Sequence, residues 1–363
     1  MLARDERSNG RTWRAPGRVN LIGDHTDYQD GFCLPMAIDR ECRVTVAPGT
    51  TAAIRARSAQ LDGAVDVALD GSTDPAAIEP QWGRFIAGAV RVARELGADA
   101  LPAVDLGVTS TVPVGSGLSS SSAFTVALMV AFTDLAGITV DRVDLARAAL
   151  AAEIAATGVP GGLMDQMAAL FATSDHAMLL DCRTLHVDPI PIPRALGVVV
   201  IHSGEPRVLA DSAYAERRAA CEAAAARLGV ATLRDATLQQ VRDEPRARHV
   251  VTENARVVEF ATALRAGDVA ALGPLMLASH ASLRDDFEVS TPALDALVDA
   301  CMEHGALGAR LTGAGFGGCV VALVQRNHAD DILAKVARST RAIVGHELLG
   351  FSVRAGAPAG RVD

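Results

Sequence analysis

The sequence predicts a two-domain globular protein of mixed helices and strands, and three observations lead there. The chain has 363 residues, enough to bury two separate cores. Half of its residues are hydrophobic and 21% are charged, the balance of a globular chain and not of a disordered one. Segments that alternate every second residue are interleaved with segments that repeat every three or four, and the prolines of DPIPIPRA, 188–195, mark a change of register. A boundary follows near 190–195, giving domains 1–192 and 193–363.

The elements can be justified in order. RECRVTVAPGTTAAIRARS, 40–58, alternates as two strands broken by a Pro-Gly turn, and VDVALD, 65–70, alternates too. PQWGRFIAGAVRVARELG, 80–97, spaces Trp82, Phe85, Ile86, Ala89 and Val90 as one helix face. VDLGVTSTV, 104–112, is a strand. A Gly/Ser loop then runs into an apolar helix, and 141–157 forms a second helix with Asp141 as its cap. A third opens near 163, before strand HAMLLD, 176–181. VVVIHS, 198–203, is a buried strand. Helices follow at roughly 211–228, 254–266, 292–304 and 328–343. GARLTGAGFGGCVVALV reads as strand, glycine loop, strand, and the tail AGAPAGRVD is expected to be loose.

Composition removes several functions. The net charge of −9 argues against a nucleic-acid or anionic-membrane partner. No apolar run approaches the ~18 residues of a membrane span, and the start lacks the apolar core of a secretory signal. A cytoplasmic monomer is expected. Six cysteines, at 33, 42, 182, 221, 301 and 319, show no metal-binding spacing and are expected to be reduced. Lysine occurs once, as Lys335, so there is no Walker A lysine and no protein-kinase strand lysine.

Three segments carry chemistry. GRVNLIGDHTDYQDG, 17–31, gathers Arg18, Asp24, His25, Asp27 and Tyr28 beside an apolar patch. A polar turn explains the Asp and Gly, but not the arginine, histidine and phenol. PVGSGLSSSSA, 113–123, lets backbone approach a ligand and then starts a helix, whose free N–H groups and positive end attract phosphate. GAGFGG, 313–318, fits a dinucleotide fingerprint by letter, but a strand-like CVVALV follows where that motif needs a helix. A dinucleotide-dependent oxidoreductase is thereby rejected. Glu153 and Asp165 supply carboxylates for a cation and for proton abstraction.

GRVNLIGDHTDY, PVGSGLSSSSA and LTGAGFGGC, in this order, resemble the three motifs of the GHMP small-molecule kinases, and most closely the galactokinase family. GGLMDQ, LLDCRTL, ADSAYAERRAAC and LRDDFEVSTPALD extend the resemblance over about residues 13–325. It implies two α+β domains, an S5-domain-2-like one and a ferredoxin-like one, with the active site between them. It implies an ATP-dependent sugar 1-kinase using Mg²⁺. By the same resemblance Arg18, Asp24, His25, Asp27, Gly162 and Tyr214 line the sugar site, and Asp165 is the catalytic aspartate. Gly115, Ser116, Gly117, Leu118, Ser119, Ser120 and Ser121 wrap the phosphates, Ser121 and Glu153 hold Mg²⁺, and Trp82 lies near adenine. Gly313 to Gly317 back the sugar and phosphate region. Carboxylates, His and Tyr suit a sugar because its hydroxyls both donate and accept.

The match departs at Asp24, where the family has glutamate. The loss of one methylene pulls the acceptor back by about 1.5 Å and leaves the choice of sugar open. Gln29 and Asp30 replace Asn-Gly, Ser122 replaces alanine, and Gly161 stands where cysteine is often seen. A family kinase for another monosaccharide, such as an N-acetylhexosamine or a pentose, is the alternative. A sugar-sensing regulator without turnover is the reading from another class.

Overall fold

Strand β1 (Arg11–Asn20) begins the first sheet, because Trp13, Ala15 and Val19 point into a core while Arg11 stays outside. The computed structural model describes residues 10–205, 210–344 and 348–362. The first half continues with β2 (Phe32–Cys33), β3 (Pro35–Pro48), β4 (Ala53–Ser58), β5 (Ala64–Ala68), α1 (Arg84–Glu95), β6 (Val104–Ser110), α2 (Ser120–Ala136), α3 (Arg142–Thr157), α4 (Met164–Phe171), β7 (His176–Asp181) and β8 (His186–Pro191). The second half holds β9 (Leu196–His202), α5 (Ala210–Leu228), α6 (Pro245–Ala266), α7 (Val269–Asp285), α8 (Pro292–Glu303), β10 (Gly308–Thr312), β11 (Cys319–Gln325), α9 (Ala329–Val344), β12 (Leu349–Val353) and β13 (Gly360–Val362).

The first sheet has the order β13-β1-β3-β6-β4-β5, and one face packs on α1 and α2. The second has the order β10-β11-β9-β12, all antiparallel. Its central strands are buried on both faces, so they read as unbroken apolar runs. Val199, Ile201, Val320 and Ala322 face α8 and α9, while Val198, Val200, Val321 and Leu323 face the other way. That opposite face shares a core with Val19, Leu21, Ile22 and Met36 of the first half and Val257 and Phe260 of α6. The two halves are therefore joined by apolar packing, and the functional cleft lies along that joint.

Most predicted elements are present. Asp141 does cap α3, accepting a bond from the Val143 N–H at 2.8 Å. GAGFGG does join two antiparallel strands, β10 and β11. Three expectations need correction. The tail is not loose: β13 pairs with β1, placing Val362 opposite Thr12. Helix α6 starts nine residues before the predicted 254, at Pro245, which sits in its first turn where no N–H is needed. Helix α7 was not predicted at all, because Gly273 and Pro274 inside it look like a break.

Candidate active site

The glycine- and serine-rich loop 113–121 is held against β1 by a close backbone approach. β1 bulges between Pro16 and Arg18, and a Cβ at Gly17 would stand 2.7 Å from the Leu118 carbonyl oxygen. The Arg18 N–H donates to that same oxygen at 3.1 Å. A bulge re-aims the next side chain, and here it directs Arg18 at α4. Its Nε and Nη2 donate to the two Asp165 oxygens at 2.8 and 2.9 Å, and its Nη1 donates to the Gly117 carbonyl at 2.7 Å. This fork-on-carboxylate geometry is the strong form of a charged pair. Asp165 stands in the first turn of α4, where the helix dipole also favours a negative charge.

Ser119 opens α2 in the left-handed conformation, and its hydroxyl donates to Asp165 Oδ2 at 2.6 Å. Ser122, one turn on, donates to Glu153 Oε2 at 2.9 Å, and Ser121 also bonds that carboxylate. The Gln166 amide adds a third donor at 2.7 Å. Burial still raises the pKa of Glu153, so a cation beside it would relieve an unfavourable charge. The Ser121 hydroxyl and the Glu153 carboxylate are hard oxygen donors that fit Mg²⁺. No group of three or more His, Cys, Asp or Glu could hold a metal ion among the described residues.

The opposite wall comes from the loop after β1. His25 adopts φ 62°, its Nδ1 lies 2.9 Å from the Tyr28 hydroxyl, and its Nε2 lies 3.1 Å from the Ala314 carbonyl. Burial lowers its pKa to about 3, so the imidazole is neutral at ordinary pH. Asp27 faces Gly162 so closely that a Cβ there would fall 1.6 Å from Oδ2. Burial and the charge of Asp165 raise the Asp27 pKa to about 6. The Tyr214 ring, from α5, lies 5.6 Å from both His25 and Tyr28, and its hydroxyl bonds the Gly162 backbone. Burial raises the pKa of Tyr214 well above 10, which keeps it a donor.

Asp24 is more enclosed than its neighbours, at 2% exposure. Its Oδ1 accepts from the Gly313 N–H at 2.9 Å, and its Oδ2 lies 2.5 Å from Nη2 of Arg310. Burial raises its pKa, against the opposing charges of Arg310 and Arg18.

One cleft of about 880 Å³ unites these groups. Arg18, Asp24, His25, Asp27, Gly162, Tyr214 and Gly313 give it polar walls; Trp82, Phe85, Phe124 and Leu150 give it apolar ones. Gly115, Gly117, Ser119, Ser120, Ser121, Glu153 and Asp165 line it too. Trp82 turns its indole N–H to the Asp62 carbonyl at 3.0 Å. Two predicted residues turn away from the cleft: Leu118 is buried in the shared core, and Ser116 donates to the Pro113 carbonyl. Gly315 and Phe316 pack on the Val289 backbone.

Sequence reasoning missed the supports. The serine run could have suggested Ser122 and its link to Glu153. Arg310 and the α6 side chains gave no such signal. His249 Nε2 lies 3.1 Å from the Asp24 carbonyl, Glu253 accepts from the Gly23 N–H at 2.9 Å, and Asn254 accepts from the Phe32 N–H at 2.8 Å. One helix of the second half thus holds both ends of the 23–32 loop.

Comparisons with known proteins agree on one family. The model described as GHMP kinases N terminal domain matches residues 84–173, and GHMP kinases C terminal matches 260–341. The galactokinase galactose-binding signature matches residues 4–48. A galactokinase of Roseiflexus sp. is 42% identical over 96% of this chain and 92% of its own length. One of Mycobacterium tuberculosis is 44% identical over 90% and 93%. Among solved structures, Lactococcus lactis galactokinase complexed with galactose superposes with a TM-score of 0.92 at 29% identity, covering 98% of this chain and 95% of that one. Methanococcus jannaschii mevalonate kinase shares the fold, with a TM-score of 0.72 at 18% identity, covering 98% of this chain and all of that one.

Proposed function

From a chain that belongs to the galactokinase family of GHMP kinases, and so is an ATP-dependent sugar kinase, we propose a residue-level mechanism for making galactose 1-phosphate and ADP from D-galactose and ATP. The observation that carries it is the Arg18–Asp165 fork beside the phosphate loop. Asp165 accepts the proton of the sugar's anomeric hydroxyl as that oxygen attacks the γ-phosphorus in line, and ADP leaves. Arg18 offsets charge as it builds on the transferring group. Ser119 fixes one Asp165 oxygen and leaves the carboxylate oriented for the proton.

His25, Asp27 and Tyr214, with Asp24 behind them, bind the sugar hydroxyls. Gly162 leaves the room that Asp27 needs. The α2 N-terminus, from Gly115 to Ser121, binds the phosphates through N–H and hydroxyl groups. Trp82 flanks the adenine. Ser121 and Glu153 would hold Mg²⁺, which when bound supplies positive charge to offset that of the phosphates. Residues 1–192 carry most of this machinery and 193–363 the glycine wall and the loop supports. No described helix is long and apolar enough to cross a membrane.

The short Asp24 favours one second reading, a preference for another monosaccharide. Phosphorus NMR of products from MgATP with a sugar panel tests both. An anomeric phosphate formed from galactose, with glucose and N-acetylgalactosamine poor, is the expected result. Turnover of a different sugar alone would keep the mechanism and move the specificity. Silence from folded, ATP-binding protein would revive the sugar-sensing regulator.

A further inference from the structure

Among the described residues, Arg310 is the largest charged side chain wholly removed from solvent. It stands on β10, at the joint between the halves, and no part of the mechanism above uses it. Its Nη1 donates to the Asn20 carbonyl at 3.1 Å, and Nη2 lies 2.5 Å from Asp24 Oδ2. A buried ion pair gains little or nothing in stability over an apolar pair of the same size. Its presence here therefore asks for a role in geometry.

That geometry is a closed chain of contacts. Arg310 holds Oδ2 of Asp24, and Oδ1 takes the Gly313 N–H. The next residue of the wall, Ala314, offers its carbonyl to His25, which adjoins Asp24. The Thr312 hydroxyl lies 3.0 Å from both the N–H and the carbonyl of Asn20. The Asn20 carboxamide, the Asp24 carboxylate and the Arg310 guanidinium thus form one buried polar cluster whose members face each other.

We propose that Arg310 is a positioning residue for sugar recognition: it fixes the short Asp24 carboxylate and, through it, the Gly313–Ala314 wall and His25. The proposal rests on the galactose-kinase reading and extends it to specificity. It assigns the discrimination at one sugar hydroxyl to a guanidinium that never touches the sugar. Lysine cannot replace it, because a point charge on a flexible stem lacks the planar fork.

The test compares Arg310→Lys, Asp24→Asn and the double variant with the wild type. The readouts are KM for sugar, KM for ATP, kcat, and relative kcat/KM across the monodeoxy derivatives of the sugar that the wild type turns over. Thermal melting checks the fold. The expected result is a sugar KM raised at least ten-fold with the ATP KM changed less than two-fold. Discrimination against one deoxy sugar should fall at least ten-fold, and the double variant should be no worse than the poorer single one. Equal shifts in both KM values, unchanged deoxy-sugar selectivity, or additive losses would overturn it. If Arg310→Lys does not fold, Arg310→Gln decides by the same KM split and selectivity. A wild type that turns over a non-galactose sugar refutes only the galactose reading, and the comparison proceeds on that sugar. A wild type silent on all sugars overturns both.

Discussion

Asp165 receives donors from two residues at full hydrogen-bond length, Arg18 and Ser119, and stands at a helix start. Replacing it with asparagine keeps the shape and removes the base. Asp165→Asn should therefore lower kcat by ~10²–10⁴-fold while calorimetry still shows sugar binding; near-normal turnover would exclude the base role. Asp27 gives a pH signature. Its pKa rises from 3.8 to about 6, so the carboxylate loses its charge as pH falls through 6. The kcat/KM for sugar should fall below about pH 6, and Asp27→Asn should abolish that limb of the profile. Stability follows the opposite sign: the raised pKa opposes folding above about 6, and that cost is relieved as pH falls toward 3.8. Gly162→Ala would press a methyl group into Asp27 Oδ2. A sugar KM raised about ten-fold or more, from roughly 1.4 kcal/mol or more of lost binding, is expected, with the ATP KM little changed. At this scale much of the site was legible, because Arg18, Asp24, His25 and Asp27 stand within ten positions of one another. The inward turn of Ser116 and Leu118 was not, since a loop's letters do not say which side chains face the core.

The element that matters most for the 23–32 loop is α6, and its contacts with that loop were not legible. His249, Glu253 and Asn254 act on backbone N–H and carbonyl groups of a distant loop. Such contacts need no matching residue type on the other side, so no motif announces them. Glu253 is fully buried. Burial pushes its pKa up, but Arg256, His249, Arg310 and the Ser279 hydroxyl outweigh it and bring the value to about 2. A depressed pKa stabilises the fold above the unfolded value near 4.5 and ceases to do so as pH falls toward 2. Glu253→Gln should flatten the dependence of the melting temperature on pH between those values. Asn254→Ala would leave the part-buried Phe32 N–H without its acceptor, a cost of about 1 kcal/mol, read in a denaturant titration. The helix α7 escaped prediction for a different reason: Pro274 is tolerated because tertiary packing of Leu272, Met276 and Leu283 holds the helix around it.

For the whole molecule, the alternation and helix periods were enough to place most strands and helices, but not the order of strands in a sheet. Pairing is decided by contacts across the chain, as when β4 lies parallel to β6 between antiparallel neighbours. The apolar core shared by Leu21, Ile22, Val198 and Phe260 ties the cleft's two walls to global stability. Galactose at a hundred times its Kd should then stabilise the protein by about 2.7 kcal/mol, seen as a rise in melting temperature that Gly162→Ala reduces. The pairing of β13 with β1 has a consequence for synthesis. Thr12 finds Val362 only after about 350 more residues are made, some 20–70 s at ribosomal rates of about 5–20 residues per second. Until then β1 has a bare hydrogen-bonding edge, open to strand pairing with other nascent chains. The 23–32 loop waits a shorter time, for α6. On the ribosome, the backbone of the 113–121 loop is complete long before the 23–32 loop gains its supports from α6.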